Sequence, residues 1–334
     1  MKVKIAGAGI SGSYLGRLLE GEVTLYDDNP RPGCRCAWGV PRSQIACLLD
    51  KVNINVSDFV ITDVIGAYQN KVYIPLNNFS IIDKPRLIAE LRQGQELVHR
   101  RLDFSFERED LIVNATAIPR SGEVFLLDSL QERATIIGAE MRTVYGYINP
   151  SHIGYAWLFP LDDEGRLFHL GAACKGIEPK RLMEELLAYY GFKKNRLLCR
   201  CDGPLYLADP KKLEIVESNV VAIGGAAGCV HPVTGEGILT SMQSAWLLAE
   251  ALENNDSLTE YEQAMRDLLH GYGSSYKVFR LMLHWPPVAW TTGIFDMFKS
   301  IENYEPIISF GSVLMLLYRM MWNLFSPPRV APSS

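Results

Sequence analysis

Four short, largely apolar runs are the strongest pattern in the chain. They lie at 3–6, 23–26, 111–115 and 220–223, far apart in sequence but alike in length and character. Short apolar runs of this kind are typical of strands that are buried on both faces of a parallel sheet. We therefore expect the four runs to pair in one sheet, which makes the domain that contains them discontinuous in sequence.

Between these runs the chain changes to short strand-like segments. Strands are expected at 59–64, 71–75, 123–127, 135–139, 142–148 and 167–173, and helices at 86–91 and 237–253. The fold class is therefore α/β, in which a Rossmann-type parallel-sheet domain is interleaved with an antiparallel-sheet substrate domain and followed by C-terminal helices. The expected bounds are 1–52, 106–120 and 217–253 for the first domain, 53–105 and 121–216 for the second, and 254–334 for the C-terminal segment.

The amino-acid composition excludes several classes of function. The 334 residues carry 33 basic and 38 acidic side chains, and no Lys/Arg-rich run could neutralise the phosphates of a nucleic acid, so no such partner is expected. Seven cysteines, an odd number, do not fit a secreted disulfide framework, which favours a reducing cytoplasm. Glycines interrupt the apolar stretch after Lys2 and Lys4, so no signal peptide is predicted.

The first candidate site is the glycine-rich turn that follows the first apolar run. In this turn Gly7 permits a tight bend, Gly9 lets the backbone approach a pyrophosphate, and Gly12 lets the next helix pack closely on the sheet. Ser11 belongs to the same turn, and Asp27 ends the second run, where a carboxylate can bind ribose hydroxyls. The pattern predicts a dinucleotide site; the alternative is a glycine-rich turn that holds no ligand.

Two later segments indicate which dinucleotide is bound. Residues 111–117, followed by Arg120, and residues 220–238 resemble two internal motifs of FAD enzymes with the p-hydroxybenzoate hydroxylase-like fold. The resemblance implies that FAD is the cofactor and that residues of both segments contact it: Ala115, Thr116, Gly224, Gly225, Gly235, Gly237 and Ile238. Residues 232–238 would place a helix N-terminus beside the flavin pyrimidine edge, where its N–H groups stabilise negative charge on the reduced flavin.

Three blocks narrow the resemblance to the geranylgeranyl reductases, FAD-dependent enzymes that saturate isoprenoid double bonds. The blocks are Arg-Cys-Ala-Trp-Gly at 35–39, Gly-Tyr-Ala-Trp-Leu-Phe-Pro at 154–160 and the loop at 232–238. The resemblance implies cofactor binding by Arg35 and catalytic roles for Cys36, Tyr155 and Trp157. It also implies a substrate site lined by Phe159, Pro160, His231 and Pro232.

The chain departs from the family pattern at three positions. Gly225 stands where the family usually has an aspartate, Ala117 where it has a glycine, and Trp38 where it has a glutamate. The first departure removes a carboxylate that is expected to hydrogen-bond the cofactor.

The expected chemistry is the addition of a hydride and a proton to a carbon–carbon double bond in a dry, apolar tunnel. Cys36 could supply or relay the proton, or it could be a small buried apolar residue. Tyr155, Trp157 and Phe159 alternate as on a strand and could line a prenyl tunnel or simply pack in the core. His231 could be a proton carrier or a structural histidine of the loop.

The sequence gives less support to a metal site or to a dedicated NAD(P) domain. The pairs Cys34/Cys36 and Cys199/Cys201 have a single intervening residue, which is tighter than usual zinc-ligand spacing, so no metal site is predicted. No second Gly-x-Gly-x-x-Gly motif is available for a dedicated NAD(P) domain. The electron donor is therefore expected to be transiently bound NAD(P)H, ferredoxin or another reductant.

The C-terminal segment is unusually apolar. Residues 307–325 contain a single charge, Arg319, and a second apolar cluster lies at 281–290. This pattern favours a protein that lies at the periphery of a membrane, through which a lipid substrate enters; a helical lid over the substrate domain is the alternative.

The sequence thus predicts an FAD-dependent reductase that saturates C=C bonds of a polyprenyl lipid or prenylated quinone. Two alternatives remain open: an FAD monooxygenase that acts on a hydrophobic substrate, and a non-catalytic prenyl-lipid escort protein of the same fold, as the Rab GDP-dissociation inhibitors are.

Overall fold

The computed structural model describes residues 2–29, 38–104, 111–149, 151–254 and 257–284. The strands are β1 Val3–Ala6, β2 Val23–Tyr26, β3 Gly39–Pro41, β4 Val60–Gln69, β5 Val72–Ile82, β6 Glu96–Val98, β7 Leu111–Asn114, β8 Val124–Ile137, β9 Thr143–Tyr147, β10 Ile153–Pro160, β11 Leu167–Lys175, β12 Lys193–Ala208, β13 Val216–Glu217 and β14 Val220–Ala222. The α-helices are α1 Ile10–Leu18, α2 Arg42–Asp50, α3 Lys84–Leu91, α4 Pro179–Tyr190, α5 Ile238–Glu253, α6 Leu258–Leu268 and α7 Tyr272–His284.

The four apolar runs pair in one parallel sheet, as predicted. Its strand order is β13-β14-β7-β1-β2-β6, and all neighbours are parallel except the short edge pair of β13 and β14. Every residue of β7 is buried, because the main core cluster surrounds the sheet and includes the inner faces of α1 and α5. This burial explains why the runs show no polar alternation.

The second sheet has eight strands in the order β12-β8-β11-β10-β9-β4-β5-β3. One face packs on α4, where Leu182 and Leu186 lie in a cluster with Phe168 and Leu158. Trp157, the neighbour of Leu158, points to the opposite face and packs in a separate cluster with α7. The predicted fold class, a Rossmann-type parallel-sheet domain interleaved with an antiparallel-sheet domain and followed by C-terminal helices, is confirmed.

Two predicted strands, 123–127 and 135–139, are one continuous strand, β8. The buried polar residues Gln131 and Glu132 interrupt the apolar pattern in its middle, which is why the sequence suggested a break. The Glu132 carboxylate is compensated by the neighbouring edge strand: Lys194 lies 2.7 Å and Arg200 lies 2.6 Å from its oxygens. That edge strand, β12, was not predicted because its first half is exposed and largely polar, without an alternation of apolar and polar residues.

Two short strands lie in a different sheet from the one that the predicted domain bounds suggest. β6 falls within 53–105 but pairs with β2 in the parallel sheet, and β3 falls within 1–52 but pairs with β5 in the antiparallel sheet. Both have three residues, so their membership depends on the strand beside them more than on their own pattern. The domain bounds as a whole stay a prediction.

The membrane prediction concerns residues that lie mostly outside the described part of the chain. Residues 307–325, with Arg319, and the portion of the apolar cluster from 285 to 290 fall there. Within the described ranges, no helix has both the length and the apolar character that crossing a bilayer requires.

Candidate cofactor and substrate site

The three glycines of the turn between β1 and α1 are in different environments. Gly7 has φ +100, and a Cβ there would lie 2.5 Å from the carbonyl oxygen of Ala115. A Cβ on Gly12 would collide with the carbonyl of Gly7. A Cβ on Gly9, however, would meet no atom within 4 Å. Packing therefore requires Gly7 and Gly12, whereas Gly9 borders open space at the N-terminus of α1, which is where a pyrophosphate fits.

Asp27 and Arg92 hold the peptide of Ala8 in this turn. The Ala8 N–H donates to Asp27 Oδ2 at 2.8 Å, and Arg92 Nε donates to the Ala8 carbonyl at 2.9 Å. The two side chains also form an ion pair of 3.5 Å. Asp27 therefore braces the turn, and a carboxylate keeps further acceptor positions for ribose hydroxyls. Arg92 had no signal in the sequence, because it follows α3 and reaches the turn only through the fold.

The turn after β7 lies against the glycine turn. Asn114 Oδ1 accepts hydrogen bonds from the Thr116 N–H at 3.2 Å and the Thr116 hydroxyl at 2.7 Å. Ala117 follows with φ +66, a left-handed conformation that favours glycine. The predicted cofactor residues Ala115 and Thr116 are thus placed beside Gly7.

The segment after β14 lies against both the glycine turn and the turn after β7. A Cβ on Gly224 would lie 2.6 Å from Ser11 Oγ, and a Cβ on Gly225 would lie 3.0 Å from the Cβ of Ala117. The Gly224 N–H donates to Ser244 Oγ of α5 at 2.8 Å. Residues that are more than 100 positions apart in sequence therefore share one site, as the predicted cofactor set requires.

The loop at 231–237, before α5, is anchored by a buried histidine. His231 Nδ1 accepts from the Thr234 N–H at 3.2 Å, so the ring proton lies on Nε2, which is 3.1 Å from Ser275 Oγ of α7. Burial lowers the pKa of His231 to about 4, so the ring is neutral at pH 7. These contacts are those of a structural histidine that ties the loop to α7. Pro232, which follows it, is also buried.

An aromatic row on the antiparallel sheet reaches this loop. The Tyr155 hydroxyl lies against the Cα of Gly235, where a Cβ would collide with it. The Tyr155 and Trp157 ring centroids are 5.6 Å apart. Trp157 Nε1 donates to His169 Nδ1 at 3.2 Å, and the His169 ring centre lies 5.4 Å from that of Trp38. We call these four side chains the aromatic row.

Two members of the aromatic row were missed as site residues. Trp38 was noted only as a departure from the family pattern, and His169 had no motif around it. Phe159 packs against β3, because a Cβ on Gly39 would lie 3.0 Å from its ring. Pro160 is buried at the end of β10. Tyr155, Trp157 and Phe159 thus belong to one apolar cluster, and the roles of the predicted substrate residues stay predictions.

Two predicted site residues, Arg35 and Cys36, lie outside the described residues, as does Cys34. Gly237 precedes the first turn of α5 and Ile238 is its first residue. The N–H groups of this first turn have no carbonyl partner within the helix, so this end can bind an anionic group.

Comparisons with known proteins find several similar sequences. A family model described as lycopene cyclase protein matches residues 177–293. A menaquinone reductase of Mycobacterium tuberculosis is 29% identical over 174 residues, which cover 47% of this chain and 40% of that protein. A digeranylgeranylglycerophospholipid reductase of Methanosphaera stadtmanae is 28% identical over 154 residues, which cover 40% of this chain and 35% of that protein. The chain thus spans less than half of either relative.

A solved structure extends the likeness to the whole fold. It is a geranylgeranyl bacteriochlorophyll reductase-like protein from Thermoplasma acidophilum, with a TM-score of 0.67 and 16% identity, covering 97% of this chain and 99% of that one. The resemblance to the geranylgeranyl reductases is confirmed. The chain therefore shares the fold of this geranylgeranyl bacteriochlorophyll reductase-like protein.

Proposed function

We propose that this protein is an FAD-dependent reductase that saturates C=C bonds of a polyprenyl lipid or a prenylated quinone. The observation that carries the proposal is the contact between the loop at 231–237 and the aromatic row, made by Gly235 and Tyr155. It joins the predicted flavin site to an apolar wall on which an isoprenoid chain can lie.

The residues around the glycine turn suit FAD. The open space beside Gly9 would take the pyrophosphate, Asp27 would accept from the ribose hydroxyls, and the first turn of α5 would offer its N–H groups to the flavin end. The bound flavin supplies the hydride for the reduction. The chain contributes the positive end of α5, which favours negative charge nearby, and apolar side chains that exclude water from the reacting carbons.

The names of the relatives support the substrate class. One is a menaquinone reductase and another a digeranylgeranylglycerophospholipid reductase, so both act on lipids by name. An isolated alkene is a poor hydride acceptor. Holding its two carbons in a fixed position on a rigid wall would therefore account for much of the rate acceleration. Cys36 stays a predicted source or relay of the proton, and the electron donor is proposed to be NAD(P)H, ferredoxin or another reductant.

A reduction assay with product analysis tests this function. The purified protein is supplied with FAD, reduced by light, and incubated with a prenyl lipid extract under argon. We expect a visible flavin spectrum and lipid products heavier by two hydrogen atoms for each reduced bond. A protein that binds flavin but consumes oxygen and hydroxylates the lipid would instead be a monooxygenase. A colourless protein that retains prenyl lipid unchanged would be an escort protein.

A further inference from the structure

Cys199 and Cys201 lie on the same face of the edge strand β12. Its pairing with β8 is regular across them, so that Cys199 lies opposite Arg133 and Cys201 lies opposite Gln131. Residues that are opposite each other in antiparallel strands point to one face, and the side-chain contacts agree with this. Arg133 Nε donates to Cys199 Sγ at 2.9 Å, and the Cys201 thiol donates to Gln131 Oε1 at 3.9 Å. The two thiols are therefore neighbours on this face.

The same face of the sheet carries the aromatic row. His169, a member of the row on β11, lies directly opposite Arg133 of β8. Arg133 also places its guanidinium over the Trp38 ring, with 5.7 Å between the guanidinium carbon and the ring centre. Direct contacts thus lead from the Cys199 sulfur through Arg133 to Trp38.

These two thiols differ from the other described cysteines in being both accessible and paired. Both are half-buried, and β12 has no neighbouring strand on its outer side in the described part of the chain. Cys174 and Cys229 are buried, and burial raises the pKa of their thiols to about 11 and about 12, so neither yields the thiolate that reacts with oxidants. Cys47 is exposed, but it is the only cysteine of α2.

The spacing of the pair allows a disulfide that is easily reduced again. Residues two apart on a strand have Cα atoms about 6.6 Å apart, close to the upper limit of about 6.8 Å for disulfides. Closing the bond requires the strand to pucker, which an edge strand can do because only one side of its backbone is paired. Strained and accessible disulfides are the ones that are readily reduced, as a reversible switch requires.

We propose that hydrogen peroxide converts Cys199 and Cys201 to a reversible disulfide, which slows the reduction of prenyl lipids; the effect on the rate rests on the proposed function. The Cys199 thiolate attacks one peroxide oxygen, the O–O bond breaks, hydroxide leaves, and the sulfur becomes a sulfenic acid. The Cys201 thiolate attacks this sulfur, and a second hydroxide leaves. The two thiol protons join the two hydroxides. Two thiols and one peroxide thus give one disulfide and two waters, with sulfur oxidised and the peroxide oxygens reduced.

The disulfide changes the contacts of Arg133. To reach Cys201, the Cys199 sulfur must turn away from Arg133 Nε, to which it is now hydrogen-bonded. The guanidinium is then no longer held over Trp38, so the aromatic row loses a fixed neighbour. Hydrogen peroxide is the product when dioxygen, instead of the lipid, takes the electrons of a reduced flavin. The switch therefore responds to unproductive turnover.

A non-reduced tryptic digest tests the disulfide itself. Full-length holoprotein is treated with hydrogen peroxide, alkylated, and purified as the single-chain band of a non-reducing gel. Because trypsin cleaves after Arg200, the disulfide should join peptides 197–200 and 201–211, and dithiothreitol should separate them. Cys47→Ser is the matched control and should give the same linked peptides. Separate peptides that are alkylated at both Cys199 and Cys201 overturn the proposal.

The rate of lipid reduction tests the switch. Holoenzyme that has been oxidised, freed of peroxide and reduced by light under argon should reduce prenyl lipid about 10-fold more slowly than untreated holoenzyme, and dithiothreitol should restore the rate. Cys199→Ser should keep the untreated rate, because its hydroxyl can accept from Arg133 Nε, and it should not respond to peroxide. Cys47→Ser should respond as the wild type does. Oxidation should also change the tryptophan fluorescence of the wild type, and Trp38→Phe should lack this change.

The outcomes separate the switch from the proposed function. A disulfide that forms without a change in rate overturns the switch and leaves the reductase function standing, as does a Cys199→Ser enzyme that stays sensitive to peroxide. An untreated holoenzyme that binds flavin but reduces no prenyl lipid overturns the reductase function. The digest and the Trp38 fluorescence need no turnover, so they decide independently whether the disulfide forms and displaces Arg133.

Discussion

A Cβ on Gly225 would lie 3.0 Å from the Cβ of Ala117. These are the two positions at which the chain departs from the family's aspartate and glycine. The departures are therefore neighbours in space: the methyl group of Ala117 occupies room that a side chain at 225 needs. Ala117 adopts φ +66 to stand there, which is unfavourable for a residue with a Cβ.

Stability should show this coupling in a double-mutant cycle. Ala117→Gly should raise the free energy of unfolding by about 1 kcal/mol, because it relieves the left-handed backbone. Gly225→Ala alone should lower it by about 1 kcal/mol through crowding. In the Ala117→Gly background the same change should cost less, and urea denaturation measures all three. Strictly additive effects would contradict the contact. Gly225→Asp in that background should also strengthen flavin retention.

Substitutions at two glycines of the same turn should have different effects, one on flavin retention and the other on the stability of the fold. Gly9→Val places its side chain in the open space at the N-terminus of α1, so it should abolish flavin binding with little change in thermal stability. Gly12→Ala should instead destabilise the fold by about 1 to 3 kcal/mol, because its Cβ meets backbone. Flavin absorbance per protein and thermal melts distinguish the two. Normal flavin content in Gly9→Val would refute the assigned site.

The buried His231 should make stability depend on pH in the acid range. Its pKa falls from an ordinary value of 6.5 to about 4 on folding, so the unfolded chain binds the proton more readily between these values. Stability is therefore complete above pH 6.5 and declines as the pH falls, by roughly 3 kcal/mol in all. Urea unfolding at about pH 7 and about pH 4.5 measures this loss, which His231→Asn should reduce. An unchanged loss in the variant would show that His231 ionises normally.

Glu236 should act on stability in the opposite direction. Because the pKa of its carboxyl group is raised to about 7 in the folded protein, the folded chain holds the proton more tightly than the unfolded chain between the ordinary carboxyl value and 7. Stability from this group is present at low pH and is lost as the pH rises through 7. Glu236→Gln should therefore melt at a higher temperature than the wild type at about pH 8, and Glu253→Gln should not.

Liposome flotation should test the C-terminal prediction. The wild-type chain should float with liposomes, since burying each large apolar side chain contributes about 1.5 to 3 kcal/mol. A chain truncated after His284 keeps every described residue, and it should stay in the soluble fraction with its flavin bound. If the truncated chain instead loses flavin and unfolds, the segment is a lid that packs inward. A full-length chain that never floats rules out membrane contact.

The sequence determined the parts of this protein that local chemistry dictates. Buried parallel strands must be apolar on both faces, so the four runs that form β1, β2, β7 and β14 were visible as such, and the turn after β1 needs glycines that sequence spacing displays. The motif resemblance supplied the expected cofactor class and the loop at 232–238. These features could be predicted from the sequence because each depends on a few consecutive residues.

Tertiary structure alone decided which distant residues meet. Arg92 braces Ala8, Ala117 occupies the space beside Gly225, and the Trp38 ring lies 5.4 Å from that of His169, and in each case the fold brings together partners that are far apart in sequence. The pKa of Glu236 likewise depends on the mass of protein around it, which no sequence pattern encodes. Local sequence sets which residues can do the chemistry, and packing between remote segments sets which of them are placed to do it.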